Sequence, residues 1–249
     1  MIFAVVVCAL LGAILASFVS VVVERVNTGQ SWASGRSRCG SCRVELKSYD
    51  TIPVFSWLVA FGKCRSCGSR IPLGLLISEI LLAVVFAVSY LHIGFSLKLV
   101  VFLIFVTVLF GLVLYDMRHT IVPPLASGTL LVLSCIFLLL NVSNQGAIGV
   151  ALMTAGGISF TFFLLHVLSG GRAMGLGDAP VVLALSLLTA PYALGGVLLS
   201  FWIGAVVGIG ILVLRRGGST MGTEVPFVPF LALGYLLAFT VQWNPFILI

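Results

Sequence analysis

Residues 2 to 23 read IFAVVVCALLGAILASFVSVVV, a run of 22 residues without a charged side chain. An α-helix needs about 20 consecutive apolar residues to cross the hydrocarbon core of a bilayer, so this run predicts a membrane-spanning helix. The whole chain is similar in character, because 61% of its 249 residues are hydrophobic and only 8% are charged. An ordinary soluble domain has about 25% charged residues. The composition therefore excludes a soluble globular protein.

Seven further apolar runs follow the first. They cover residues 73–91, 96–115, 125–141, 146–168, 179–194, 196–214 and 226–243. The runs are long and continuous, which favours helices over the short alternating segments of a transmembrane barrel. We therefore predict an all-α membrane protein with about eight transmembrane helices. Its parts are a first helix over residues 1–23, a polar module over residues 24–72, and a helical membrane domain over residues 73–249.

The basic residues lie almost entirely in alternate loops. Twelve of the 13 Lys and Arg residues fall in the polar module or in the loops after the third, fifth and seventh runs, and only Lys98 lies on the other side. Cytoplasmic loops carry an excess of Lys and Arg, so this asymmetry predicts a cytoplasmic polar module and two extracytoplasmic termini. The net charge of +6 is then explained by topology. We expect membrane lipid as a partner and no nucleic acid.

The polar module carries two CxxC pairs, Cys39 with Cys42 and Cys64 with Cys67. Two residues between thiolates let both sulfurs reach one ion, and four such ligands complete a tetrahedral zinc site. A module of about fifty residues with few apolar side chains needs such a staple, so we predict a structural zinc ion. CxxC is also a redox spacing, which leaves a thiol oxidoreductase as an alternative.

Two of the seven carboxylates lie at the ends of apolar runs on the predicted cytoplasmic side. Asp116 follows the third run, and Asp178 comes just before the sixth, in the sequence Gly175-Leu176-Gly177-Asp178. Taken singly, each has an ordinary interfacial explanation. Asp178 could cap a helix N-terminus, and Asp116 could pair with Arg118.

As a pair, the two aspartates allow hydrolysis of a peptide bond. Two carboxylates brought together in a poorly hydrated cleft share one proton, so one acts as general base on water and the other as acid toward the scissile carbonyl. Gly175 and Gly177 fit such a site, because missing side chains let an extended substrate approach and permit unusual backbone dihedrals. We predict Asp116 and Asp178 as catalytic residues and the two glycines as substrate-binding residues.

A transporter or channel is the rival hypothesis for the same two residues. Asp116 and Asp178 would then form an ion or proton site. Such sites lie near mid-membrane and are usually built from paired repeats. Here both carboxylates lie toward one predicted face, and the sequence has no evident repeat.

The combined features resemble the type IV prepilin peptidase family, which are intramembrane aspartic peptidases with a GxGD motif. The resemblance covers nearly the whole chain, in both order and spacing. It is carried by Ala16 to Phe18, the two CxxC pairs, Ile52-Pro53, Phe55 to Leu58, Glu79, Asp116, Ile121 to Pro123, Gly175 to Asp178, and Pro226 to Gly234.

The resemblance implies a bacterial inner-membrane enzyme that removes the basic leader of type IV prepilin or pseudopilin precursors on the cytoplasmic side. It also implies that Asp116 and Asp178 are the catalytic aspartates. Many family members methylate the new N-terminus with S-adenosylmethionine, and Glu79 matches a carboxylate associated with that activity. Methylation by this chain stays an open alternative, because residues 74–78 differ from those that usually precede that carboxylate.

Overall fold

The computed structural model describes residues 1–26, 31, 35–142, 144–172, 174–214 and 226–245. This part of the chain is almost entirely helical. Its α-helices are α1 (Ile2–Arg25), α2 (Phe55–Val59), α3 (Leu73–Ile93), α4 (Leu97–His119), α5 (Pro124–Asn141), α6 (Gln145–Ser169), α7 (Asp178–Leu188), α8 (Ala193–Leu214) and α9 (Val228–Val241). A 3-10 turn covers Ser48–Thr51. Extended pairing among these residues is limited to two isolated bridges, Arg38 with Glu45 and Lys63 with Arg70.

The predicted all-α membrane architecture is confirmed. Six helices, α1, α3, α4, α5, α6 and α8, are long and apolar enough to cross a membrane. The apolar helices α7 and α9 have only 11 and 14 residues. They measure roughly 16 and 21 Å, against a hydrocarbon core of about 30 Å, so the count of eight crossings stays a prediction. Arg215 and Arg216, two of the basic residues behind the predicted topology, lie outside the described residues.

The predicted break between the sixth and seventh apolar runs exists, but α7 ends at Leu188, earlier than the predicted residue 194. The Thr189 hydroxyl donates to the Leu185 carbonyl oxygen at 2.9 Å in the last turn. Pro191 follows and has no N–H to continue the helical hydrogen bonding. The next helix, α8, then starts at Ala193.

The chain forms two compact units, Met1–Leu99 and Val100–Ile249. In the first unit, α1 packs along α3. Gly12 lies so close to α3 that a Cβ atom on it would stand 2.6 Å from the Leu82 carbonyl oxygen. Ala13 and Ala16 on the same helix are also buried. Small residues let two helix backbones approach closely, which is a common way for helices to pack in lipid.

In the second unit, α7 is the central helix. Nine of its 11 residues are buried, and it contacts α5, α6, α8 and α9. The hydroxyls of Ser186 and Tyr235 share a buried hydrogen bond of 2.8 Å that joins α7 to α9. An internal helix held on several sides fixes the position of its first residue, Asp178.

Two groups of aromatic rings also hold helices of the second unit together. The first joins α4, α5 and α9 and consists of Phe102, Phe137 and Phe239. The second joins α6, α8 and the start of α9 and consists of Phe162, Phe201, Phe227 and Phe230. The second group therefore fixes the N-terminus of α9.

Replacing Gly12 by Leu is expected to lower the free energy of unfolding by about 1–3 kcal/mol, because the new side chain must displace the backbone of α3. The measurement is unfolding of the purified protein in detergent, followed by circular dichroism as a denaturing detergent is added. Gly74→Leu is the matched control, since Gly74 also lies in a helix of this unit but a Cβ atom there meets nothing within 4 Å. Equal unfolding midpoints for Gly12→Leu and Gly74→Leu would contradict the close packing of α1 on α3 at Gly12.

Candidate active site and metal-binding cluster

The two CxxC pairs of the polar module have the same backbone geometry. In each, the N–H of the first cysteine donates to the carbonyl oxygen five residues later, at 3.0 Å for Cys39 and 2.8 Å for Cys64. The carbonyl oxygen of the same cysteine accepts a hydrogen bond of 2.9 Å from the N–H four residues later, from Arg43 to Cys39 and from Gly68 to Cys64. Both of these residues have positive φ, 56° and 71°. The module is thus built from two copies of one turn.

The repeated turn brings the four predicted ligands together. The sulfurs of Cys39, Cys42, Cys64 and Cys67 all lie within 4.8 Å of one another, and the distance from Cys39 Sγ to Cys67 Sγ is 3.9 Å. Four sulfurs around one ion at a metal–sulfur distance of about 2.3 Å would be about 3.8 Å apart. The cluster therefore has the dimensions to hold a metal ion.

Local hydrogen bonds give the thiols of Cys39, Cys42 and Cys67 different pKa values. The backbone N–H of Cys42 donates to Cys39 and lowers the pKa of its thiol to about 6. The Ser69 hydroxyl, 3.1 Å away, lowers the pKa of the Cys67 thiol. The pKa of Cys42 is raised to about 11, because the Val44 N–H lowers it less than the neighbouring thiols raise it. A cation among the sulfurs would favour the thiolate forms.

Asp116 lies in the last turn of α4 and is only 4% exposed. Its Oδ2 accepts a hydrogen bond of 3.2 Å from the N–H of Val228, the first residue of α9. Negative side chains are stabilised at helix N-termini, where the unpaired N–H groups and the helix dipole meet them. The ion pairs found among the described residues do not include one between Asp116 and Arg118. The buried carboxylate is thus held by backbone.

Asp178 is the first residue of α7 and is 7% exposed. Its Oδ2 accepts from the Gly175 N–H at 3.2 Å, and its own N–H donates to the Gly175 carbonyl oxygen at 3.2 Å. These two reciprocal hydrogen bonds close the turn over residues 175–178 that leads into α7. The turn before α7 therefore orients the Asp178 carboxylate.

Gly177 is needed for a close approach between two loops. A Cβ atom on Gly177 would stand 2.6 Å from the Cβ of Val122, which lies just after α4. Gly177 has φ −67° and ψ −20°, and neither Gly175 nor Gly177 has positive φ, so neither uses the left-handed conformations that a missing side chain permits. At Gly177 the missing side chain makes room for Val122 instead. Gly175 lies beside the carboxylate, with its Cβ position 3.4 Å from Asp178 Oδ2.

The two aspartates belong to one electrostatic site. The contact between Gly177 and Val122 joins the loop after α4 to the loop before α7, and so brings the ends of the helices that carry Asp116 and Asp178 together. Two interacting carboxylates with little exposure do not ionise independently, and one can hold a proton while the other is charged. Such an arrangement can supply a general base and a general acid at once.

Glu79 lies in the second turn of α3 and is 4% exposed. Its Oε2 accepts from the Val54 N–H at 2.7 Å. Val54 immediately precedes α2 and has φ 62°, a conformation that a β-branched residue rarely adopts without support. The Glu79 carboxylate therefore ties the polar module to α3 within the first unit.

Two contributors to the aspartate site escaped the sequence analysis. The Val228 N–H had an available signal, because Pro226 and Pro229 mark the start of a helix, where N–H groups are free. Val122 had no such signal, because nothing in the sequence around a valine that follows a helix indicates that it contacts Gly177.

The chain is similar to known peptidases along most of its length. Residues 10–93 match the family model described as Bacterial Peptidase A24 N-terminal domain. The prepilin leader peptidase/N-methyltransferase of Dichelobacter nodosus is 31% identical over 206 residues, covering 82% of this chain and 70% of that protein. The enzyme of the same name from Myxococcus xanthus is 34% identical, covering 86% of this chain and 64% of that protein.

A third relative extends the similarity over a larger share of both chains. The prepilin leader peptidase/N-methyltransferase of Pseudomonas aeruginosa is 30% identical over 270 residues, covering 92% of this chain and 87% of that protein. No solved structure matches the chain. On this similarity, together with six helices that fit a multi-pass inner-membrane protein, the chain belongs to the type IV prepilin peptidase family.

Proposed function

We propose that the chain is an aspartic endopeptidase that removes the basic leader of type IV prepilin or pseudopilin precursors at the cytoplasmic face of the inner membrane. The observation that carries the proposal is that the carboxylates of Asp116 and Asp178 are both buried and that the loops beside them meet where Gly177 lies against Val122. The substrate class is supported by the names of the relatives, which are prepilin leader peptidase/N-methyltransferases.

In the proposed reaction, water attacks the carbonyl carbon of the scissile peptide. One carboxylate removes a proton from the water, and the protonated carboxyl of the other aspartate donates to the carbonyl oxygen. The tetrahedral intermediate then collapses: the C–N bond breaks, the leaving amine takes the proton that the first carboxylate removed from water, and a hydroxyl of the intermediate returns a proton to the other carboxylate as the new carboxyl group forms. The Val228 and Gly175 N–H groups hold Oδ2 of Asp116 and Asp178, so each carboxylate has a fixed orientation.

The substrate chemistry agrees with a site at one rim of the membrane. A precursor with a basic leader followed by an apolar helix could keep the helix in the bilayer while the leader reaches the aqueous side. Arg118 and Arg172 lie close in sequence to the two aspartates, and basic loops are typically cytoplasmic. This supports a cytoplasmic active site and metal module, with both termini on the outer side.

Asp116→Asn and Asp178→Asn are each expected to lower the rate of leader removal by at least about 100-fold, because an amide supplies neither the base nor the acid. The measurement is cleavage of a model prepilin by the purified enzyme, followed by mass spectrometry. Asp50→Asn, the remaining Asp of the chain, is the matched control, since Asp50 pairs with Arg65 in the polar module.

Either aspartate variant with full activity would overturn the aspartic mechanism. Ion flux through vesicles containing the protein, without any cleavage, would instead support the rival ion or proton site formed by Asp116 and Asp178.

We propose further that Cys39, Cys42, Cys64 and Cys67 hold a structural zinc ion. Four sulfur ligands within 4.8 Å of one another suit zinc, and a four-sulfur site leaves no open position for substrate. The ion would join the two halves of a module that has little apolar core. The cysteines then contribute folding free energy, and the chemistry stays with the aspartates.

Cys42→Ser is expected to reduce bound zinc well below the wild-type content of about one ion per chain, because three sulfurs hold the ion less tightly than four. Metal content is measured by plasma mass spectrometry, and opening of the module by trypsin cleavage at its Lys and Arg residues. Cys135→Ser, outside the cluster, is the control and keeps the metal. Metal-free wild-type protein with rapidly alkylated thiols would favour the thiol oxidoreductase alternative.

A second activity, methylation of the new N-terminus, is favoured by the N-methyltransferase part of the relatives' names. S-adenosylmethionine would supply the methyl group. The Glu79 carboxylate would take a proton from the α-ammonium group, so that the free amine can accept the methyl.

Glu79→Gln is expected to lower methylation by at least about tenfold with cleavage retained, because the amide oxygen can still accept from Val54 N–H but the amide is not a base. One mass-spectrometric assay with S-adenosylmethionine separates loss of leader from gain of methyl. Glu45→Gln, an exposed carboxylate paired with Arg38, is the control. Unchanged methylation in Glu79→Gln would remove Glu79 from that reaction.

A further inference from the structure

His166 joins the end of α6 to the loop that carries Asp178. Its Nδ1 lies 2.9 Å from the carbonyl oxygen of Met174. A carbonyl oxygen only accepts hydrogen bonds, so Nδ1 must carry the proton and donate it. The contact therefore fixes the tautomer of the neutral ring.

The Met174 carbonyl and the Gly175 N–H belong to one peptide group. The carbonyl accepts from His166, and the N–H donates to Asp178 Oδ2 at 3.2 Å. The group is planar, so the position of the imidazole helps to set the direction of the N–H. Hydrogen bonds in such a chain also polarise one another, which strengthens the donor at the far end. His166 thus reaches the Asp178 carboxylate through a single peptide.

The loop backbone holds the imidazole in place. Gly171 donates its N–H to the His166 carbonyl oxygen at 2.9 Å and has φ 77°. A Cβ atom on Gly171 would stand 3.3 Å from His166 Cε1, so the missing side chain leaves room for the ring. The ring is therefore packed against the same loop whose peptide it bonds.

We infer that His166 is a positioning residue of the peptidase, orienting the Asp178 carboxylate through the Met174–Gly175 peptide. The inference rests on the proposed function of Asp178. It assigns His166 no contact with substrate, so its removal acts on the chemical step and leaves substrate binding unchanged.

The test compares His166→Phe, which keeps a planar ring without a donor, with His166→Asn, whose amide N–H can take the place of Nδ1–H. Loss of one hydrogen bond predicts a fall in kcat of about 3- to 10-fold in His166→Phe with KM unchanged. His166→Asn is expected to stay within about twofold of wild type. His92→Phe, the same change at an exposed histidine in the last turn of α3, is the control and keeps wild-type activity.

A second readout does not depend on activity. In ¹⁵N-glycine-labelled protein in detergent, the Gly175 amide proton is expected to shift upfield in His166→Phe and to return toward wild type in His166→Asn. An unshifted Gly175 signal, equal losses of kcat in both His166 variants, or a rise in KM with unchanged kcat would overturn the inference. If Asp178 is not catalytic, the Gly175 shift persists while kcat does not change, so failure of the proposed function is recognised separately.

Discussion

The hydrogen bond from the Val228 N–H to Asp116 is the interaction on which the candidate site depends. A carboxylate that is 4% exposed in an apolar unit is strongly destabilised unless a donor reaches it, and the start of α9 supplies that donor. Asp178 is held in a related way, by a backbone N–H just before α7. The site therefore requires that α4, α7 and α9 meet with their ends together. The ring group around Phe227 and the bond between Ser186 and Tyr235 hold α9 where this is satisfied.

The polar module is stabilised in a different way from the membrane helices. It has few apolar side chains, so two kinds of local contact determine its structure. The four cysteine sulfurs bring the two CxxC turns together, and the Glu79 carboxylate accepts a hydrogen bond from Val54, the residue that precedes α2. Glu79 therefore has a structural contact whether or not it takes part in a further reaction. Neither contact needs a large hydrophobic core.

Side chains with special chemistry were predictable from the sequence, and the backbone groups around them were not. The apolar runs predicted the long helices, and the CxxC spacing predicted which four sulfurs meet. The exact end of α7 was not predictable, because Pro191 marks a break in the apolar run but does not show that the helix ends as early as Leu188. The donors to Asp116 and Asp178 are N–H groups, which every residue except proline has, so the sequence marks at most the start of a helix, as Pro226 and Pro229 do for Val228, and not which carboxylate the donor meets. The reason for Gly177 was also hidden, since it depends on Val122, 55 positions away.

Pro229 has a consequence for how the length of this chain can vary. It is the second residue of α9, and its nitrogen carries no hydrogen, so the donor that meets Asp116 stands one position before it. Deleting Val228, the residue between Phe227 and Pro229, would put the proline nitrogen at the position of the donor and leave the Asp116 carboxylate without this hydrogen bond. The one-residue spacing between Phe227 and Pro229 is therefore fixed, because it places a single N–H donor opposite Asp116.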